Sequence, residues 1–312
     1  MPFDFSAVSA PFRMQPGLRR LAGGAAQLTP LRHGDRALRE KLAVLSSFSS
    51  QALLCAAAFD PVPALDALCR HGAAEQPRAF EWDGITAAAL HLGWAVRHDE
   101  PLPLAKALPG VGSCLAALPA GWRLGGLVAL AFAEDFAIVD AESGHIPWLA
   151  VCLPSHWAPE AKVGRHFSEI HAPVADNAML LAAGAHLMRL VTGADRWERF
   201  VWTVTPHSRL DGHPERAADE AWPDDAASPD QVAAQAHWRT ERQTFIPVAG
   251  RGQAVFTIHV DVQPLRVSLA GAAQAAQLRD ALASMSPAVL AYRGLAPVRK
   301  RLLAWLEARG SG

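Results

Sequence analysis

The residues best suited to chemistry fall in two dense segments. Pro147–Val174, PWLAVCLPSHWAPEAKVGRHFSEIHAPV, gathers His156, His166, His171 and Cys152 with Trp148, Trp157 and Lys162 around one short apolar run. Trp238–Pro247, WRTERQTFIP, sets Arg239, Glu241, Arg242 and Gln243 between hydrophobic residues. Polar groups beside apolar strand sequence are costly to bury unless they bond to something. The combination points to a pocket more than to a plain core.

Several chemistries fit these residue types. His171 lies between Ile170 and Ala172-Pro173. Its neutral imidazole could ligate a metal or a haem iron through one nitrogen while the other donates to a carbonyl or carboxylate. A histidine hydrogen-bonded in a turn is the bland alternative. His156 and His166 carry less weight, because a three-histidine zinc site at these spacings fits no compact zinc motif. His259 shares a strand face with Asp261, which allows a histidine–carboxylate pair, although a solvated sheet face is the more common situation. Cys152, four residues before His156, could be a nucleophile or a haem thiolate, but a free cysteine in an apolar strand is usually just buried. Ser155 sits in no GxSxG elbow. Gly110-Val111-Gly112 lacks the third glycine and the βαβ setting of a dinucleotide site.

Arg239, Glu241 and Arg242 offer two guanidinium forks around one carboxylate. Such forks suit a propionate, carboxylate or phosphate; an internal ion-pair network on an edge strand is the competing reading. Alternation along a strand turns Arg239 and Arg242 to opposite faces, so only one of them reaches any single pocket.

The elements that must position these residues can be read coarsely. The chain has 312 residues, 51% hydrophobic and 19% charged, with a formal net charge of -1. That is enough for one large domain or two modest ones, with no global field for nucleic acid or anionic lipid. The four cysteines show no metal-ligand spacing, and Met1–Arg20 reads as no signal peptide, so a reduced, cytoplasmic protein is expected. Leu124–Phe132 is too short to span a bilayer. Residues 1–35 read as irregular. A helix starts after Asp35, a suitable N-cap, and Ala- and Leu-rich helical sequence is expected to about Leu118. Leu127–Phe132, Phe136–Val139, Trp148–Leu153, Phe200–Thr205 and Gln253–Val262 read as strands, and Ala175–Thr192 as an amphipathic helix. Pro206–Gln235 reads as a long surface excursion or a partly mobile lid. Leu269–Ser284 and Pro287–Arg309 read as helices. The order helix, sheet, helix, sheet, helix argues for an α+β fold. A mainly helical region, 1–120, would pack on a core, 121–312, in one integrated domain.

Taken together, the pieces form an ordered set: Glu134-Asp135, LPSHWAPEAKVG, EIHAPV, FVWTVT, WRTERQTF, AVFTIHV and MSPAVLAYRGL. This set resembles the haem-dependent oxidative N-demethylase alpha-subunit family, over roughly residues 10–308. The resemblance implies a PAS-like antiparallel sheet with flanking helices that binds haem b and activates oxygen to demethylate a secondary amine such as dimethylamine. It also implies partners: a reductase supplying electrons from NADPH through FMN and a 2Fe–2S cluster, and a tetrahydrofolate-dependent subunit accepting formaldehyde. On this basis His171 is expected to be the axial ligand of the haem iron. Trp157, Lys162, Arg239 and Arg242 are expected to hold the cofactor. Glu241, Arg242 and Trp202 are expected on the catalytic side, with Glu241 holding a cationic amine. Two departures stand out: Ala175-Asp176 replaces the family's Pro-Gly, and Val201 stands where its Asn-Trp pair has asparagine, which bears on the substrate. A non-catalytic haem sensor or interaction module of PAS type is the alternative reading.

Overall fold

Short runs of alternating or apolar residues, separated by turn residues, condense into eleven strands among the residues described, 3–217 and 221–310, in this computed structural model. They are β1 (Arg19–Arg20), β2 (Leu53–Cys55), β3 (Phe80–Trp82), β4 (Thr86–Ala89), β5 (Trp94–Arg97), β6 (Glu100–Pro103), β7 (Asp135–Asp140), β8 (Trp148–Ala150), β9 (Trp197–Thr205), β10 (His237–Val248) and β11 (Gln253–Pro264). Two antiparallel sheets result. One has seven strands in the order β1-β9-β10-β11-β7-β8-β2, and the other has four, β3-β4-β5-β6. With the surrounding helices this is a mixed α+β fold, as the element order predicts.

The long β10–β11 hairpin is the spine of the larger sheet. Its register runs from His237 opposite Pro264 to Val248 opposite Gln253. Its connection carries Gly250 and Gly252 at φ of 70° and 61°, a backbone that glycine adopts without a Cβ penalty. Because side chains alternate along a strand, the register sorts residues onto two faces. Arg199, Val201 and Thr203 of β9 share one face with Arg239, Glu241, Gln243 and Phe245 of β10, Phe256, Ile258 and Val260 of β11, and Ala137 of β7. Trp202, Trp238, Arg242, Thr244, Thr257 and His259 lie on the opposite face.

The N-terminal region and the C-terminal helices both pack on that opposite face. Gln27 donates to Thr244 Oγ1 and to the Phe245 carbonyl, each at 2.9 Å. Trp202 and Trp238 stack with ring centroids 5.0 Å apart, in an apolar cluster that includes Leu278, Leu282, Leu302 and Leu306 of the C-terminal helices. Lys41, fully buried, bonds the carbonyls of Phe132 and Glu134 and pairs with Asp135 at 3.0 Å. The N-terminal region also contributes β1 and β2, the two outermost strands of the seven-stranded sheet.

Three expectations change. Leu127–Phe132 is not a strand: Arg123–Ala131 is a helix, buried from Gly125 to Ala131. An apolar run this short has no face to read, so its period cannot separate a buried helix from a buried strand. Phe80–Pro103 is not helical but forms the four-stranded sheet, whose strands are short, Ala-rich and divided by Gly84 and Gly93 at positive φ. Asp35 precedes the helix Arg36–Ser47 without capping it through its side chain, which instead accepts the Arg32 amide at 2.6 Å. Helices at Ala178–Ala182, Gly184–Val191, Ala272–Ala283, Pro287–Tyr292 and Arg299–Gly310 lie in the stretches read as helical. Among the described residues, no helix is long and apolar enough to cross a membrane.

Candidate functional site

On the first face of the larger sheet, residues of strand, loop and helix from the two dense segments converge. His171 ends a short helix, Phe167–His171. That helix is capped by the His166 ring, which accepts the Ser168 amide at 3.2 Å, and by Glu169, which accepts the His166 amide at 3.0 Å. The cap holds one turn rigid, and within that turn His171 Nδ1 lies 2.8 Å from the Phe167 carbonyl. A carbonyl can only accept, so Nδ1 carries the proton and Nε2 is left with its lone pair. Burial, with the Lys162 and Arg199 cations nearby, pushes the His171 pKa from 6.5 down to about 4, so the ring is neutral at pH 7.

Lys162 is held below its usual range by burial, with Nζ 3.5 Å from the Ile170 carbonyl and 5.4 Å from the centroid of the Trp157 ring. On the sheet, Glu241 is buried and accepts from Gln243 Nε2 at 2.5 Å. Val201 of β9 and Val260 of β11 are its register partners on the same face. Arg199, one register step from Glu241, is pushed down by burial and held up in part by the Glu241 charge, and its buried Nε has no hydrogen-bond partner. Burial likewise raises the Tyr292 hydroxyl, and the Glu241 charge adds to the rise.

The other end of this face is built around Arg239. Its guanidinium is buried, and all three nitrogens donate: Nε to Ser155 Oγ at 2.7 Å, Nη1 to the Arg209 carbonyl at 3.1 Å, and Nη2 to the carbonyls of Leu153, Pro154 and Leu210. It thereby fastens the segment after β8 to a strap that follows β9. Gly212 completes the joint by donating to the Pro154 carbonyl at 2.9 Å, while its own carbonyl accepts the His156 amide at 3.0 Å. A Cβ at Gly212 would stand 2.8 Å from that Pro154 oxygen, so no larger residue fits without backbone movement. His156 adopts a φ of 60°, and its ring lies 5.0 Å from that of His207, centroid to centroid. Burial lowers both rings from 6.5 to about 4, helped by the Arg239 charge.

The strap is tied down along its length. Glu40 accepts the amides of Leu210 and Asp211, Arg36 donates to the Ser208 carbonyl, Arg216 pairs with Asp211, and His213 Nε2 meets Glu160 at 3.1 Å. The first part of the predicted excursion is therefore a bolted strap and not a lid. Its last part is the helix Pro229–Gln235, whose Val232 and Ala233 are buried among the C-terminal helices. Residues 218–220 of the excursion lie outside the described residues.

The structure brings His171, Lys162, Trp157 and Glu241 to one side of the sheet and leaves other predicted residues elsewhere. Arg242 faces the opposite side, where Nε donates to Glu198 at 2.9 Å and Nη1 to the Ala26 carbonyl at 2.7 Å. Trp202 packs there against Trp238 and Phe12. Arg239 is on the site's side, but its donors are committed to protein acceptors. His259 pairs with Glu134 at 2.8 Å and not with Asp261. Cys152 is fully buried, and burial together with the Asp135 charge raises its pKa, which disfavours the thiolate that a nucleophile or ligand needs. His166 serves as a helix cap. Among the described residues, no group of three or more His, Cys, Asp or Glu side chains could hold a metal ion, so the three-histidine zinc reading does not form.

Arg199, His207 and Tyr292 belong to this side and went unnoticed in the sequence. Arg199 had a signal: it stands two residues before Val201, on the face that alternation assigns to Val201. His207 had none, because it follows a strand end and only the tertiary fold brings it near, whereas Tyr292 stood in the MSPAVLAYRGL piece without being singled out.

A family model described as haem-dependent oxidative N-demethylase, alpha subunit-like, matches residues 126–303, which span every element of this site from β7 to the C-terminal helices.

Proposed function

Because the chain belongs to the haem-dependent oxidative N-demethylase, alpha subunit-like family, we propose that it is the haem-binding oxygenase component of a multi-subunit oxidative N-demethylase, and that His171 is the axial ligand of haem b. The observation that carries this reading is the His171 tautomer: a neutral ring, Nδ1 bound to its own helix, Nε2 free to coordinate. The residues present fit a haem. Val201, Ile258, Val260, Phe245 and Phe256 give an apolar floor for a flat ring, and Lys162 over Trp157 supplies a cation for a carboxylate at its edge. The five central strands, β9-β10-β11-β7-β8, are antiparallel and carry helices on one face, which supports a PAS-like core.

Bound haem supplies oxygen chemistry with electrons received from elsewhere. The chain's own residues do the rest. His171 would hold the iron through Nε2 while keeping its proton on Nδ1. Glu241, buried on this face and bonded to Gln243, would orient a secondary amine such as dimethylamine. Arg242 and Trp202, on the far face, act by holding β9 and β10 in place. The electrons come from a partner reductase carrying FMN and a 2Fe–2S cluster and fed by NADPH, and a tetrahydrofolate-dependent subunit takes the formaldehyde.

The test is the visible spectrum of haem-reconstituted protein, wild type against His171→Ala, followed by amine-dependent NADPH consumption with a reductase added. A Soret band altered by the substitution, with turnover in wild type, is the expected result. Turnover absent despite an intact Soret band would favour a haem sensor, and a wild-type protein that takes up no haem would end the proposal.

A further inference from the structure

Resting on that reading, we propose that Arg199 is the residue that receives a propionate carboxylate of the haem. The cations on the first face of the sheet are Lys162, Arg199 and Arg239, with Arg293 beside the open edge of β9. Glu241 is the one carboxylate in electrostatic contact with Arg199. Among the described residues, Arg239 and Arg293 are engaged by protein acceptors, and Lys162, assigned to one haem carboxylate, leaves the second propionate without a cation. Arg239 donates through every nitrogen to protein acceptors. Arg293 turns to the Trp202 carbonyl and to Met14 Sδ. Lys162 reaches the Ile170 carbonyl at 3.5 Å over the Trp157 ring.

Arg199 differs from all three in making no side-chain hydrogen bond to a protein acceptor among the described residues. Its Nε, like that of Arg293, is buried without a partner, and no carboxylate of the described residues stands within ion-pair distance of it. A buried guanidinium N–H without an acceptor is unfavourable, and the Glu241 charge offsets the desolvation only in part. Proteins keep such a group where a ligand brings the missing acceptor, and a planar fork matches a carboxylate. Arg199 shares its sheet face with Phe245 and Phe256, and Phe167, whose carbonyl meets His171 Nδ1, packs in the same apolar cluster as Phe245, which puts the fork and the imidazole on one side of the sheet. Glu241 does not fill the role: it is already bonded to Gln243 and neighbours Arg199 only through the field.

The experiment compares two probes, haem and its iron protoporphyrin dimethyl ester, whose propionates are blocked. Each is titrated into wild type, Arg199→Gln and Arg199→Lys, with dissociation constants read from the Soret band and folding checked by circular dichroism. A charge-assisted, carboxylate-specific contact predicts about 10- to 100-fold weaker haem binding in Arg199→Gln. It also predicts partial recovery in Arg199→Lys and no difference among the three proteins with the ester. Equal haem affinity in wild type and Arg199→Gln overturns the assignment, as does an equal loss with the ester, which would mark a shape effect. Failure of wild type to bind either probe counts against the haem reading itself, and so is distinguishable from failure of the Arg199 assignment.

Discussion

At the scale of single residues, the site depends on histidines kept neutral. His156, His171 and His207 each have their pKa lowered by burial from 6.5 to about 4. In the unfolded chain the same rings take up protons near pH 6.5, so between about pH 6.5 and 4 the unfolded state binds more protons than the folded one. Stability from these groups is complete above pH 6.5 and falls as the pH drops through that window. The thermal midpoint of the wild type is expected to decline steeply from pH 6.5 to 4, and that of His156→Gln less so; a flat profile would show the rings to be solvated. The sequence made His171 legible through its neighbours, but not the bond that matters, since the Nδ1 contact to Phe167 requires a helix only five residues long. Arg199 could have been read from alternation, and was hidden by the more conspicuous Arg239 and Arg242.

At the scale of elements, the decisive joint is the meeting of the segment after β8 with the strap after β9. Arg239→Met removes the donor shared by the carbonyls of Leu153, Pro154, Arg209 and Leu210 and is expected to cost about 3 kcal/mol or more, because buried acceptors lose their partner. Gly212→Ala presses a methyl on the Pro154 oxygen and should cost about 1–3 kcal/mol. Urea denaturation of both variants checks these values; Arg239→Met unfolding at the wild-type midpoint would show that the guanidinium is not the fastener. Strand sequences of β9, β10 and β11 were readable because they alternate. The helix Arg123–Ala131 and the small sheet β3–β6 were not, the first because it is apolar all round and the second because alanine strands look like alanine helices.

At the scale of the whole molecule, the N-terminal third is part of the sheet's construction. It supplies both outermost strands, ties Gln27 to β10, and buries Lys41 against Asp135. Lys41→Met takes from the buried Asp135 carboxyl its ion-pair partner, a loss of about 3–5 kcal/mol that urea denaturation would measure. A fragment starting at residue 121 is expected to show no cooperative melting by calorimetry; a sharp transition in that fragment would make the core an independent domain. None of this long-range stitching was legible in advance, because no local pattern in residues 1–120 says which distant strand each will join. The bolted strap has one more consequence. A wall that cannot swing divides the labour of the pocket: one end is set once, when the chain folds, and any breathing that admits a flat guest has to come from the short helices around His171. On the proposed reading, the end that would grip the iron is also the end less tightly bolted, and its five-residue turn, fixed by a histidine cap, would serve as the latch.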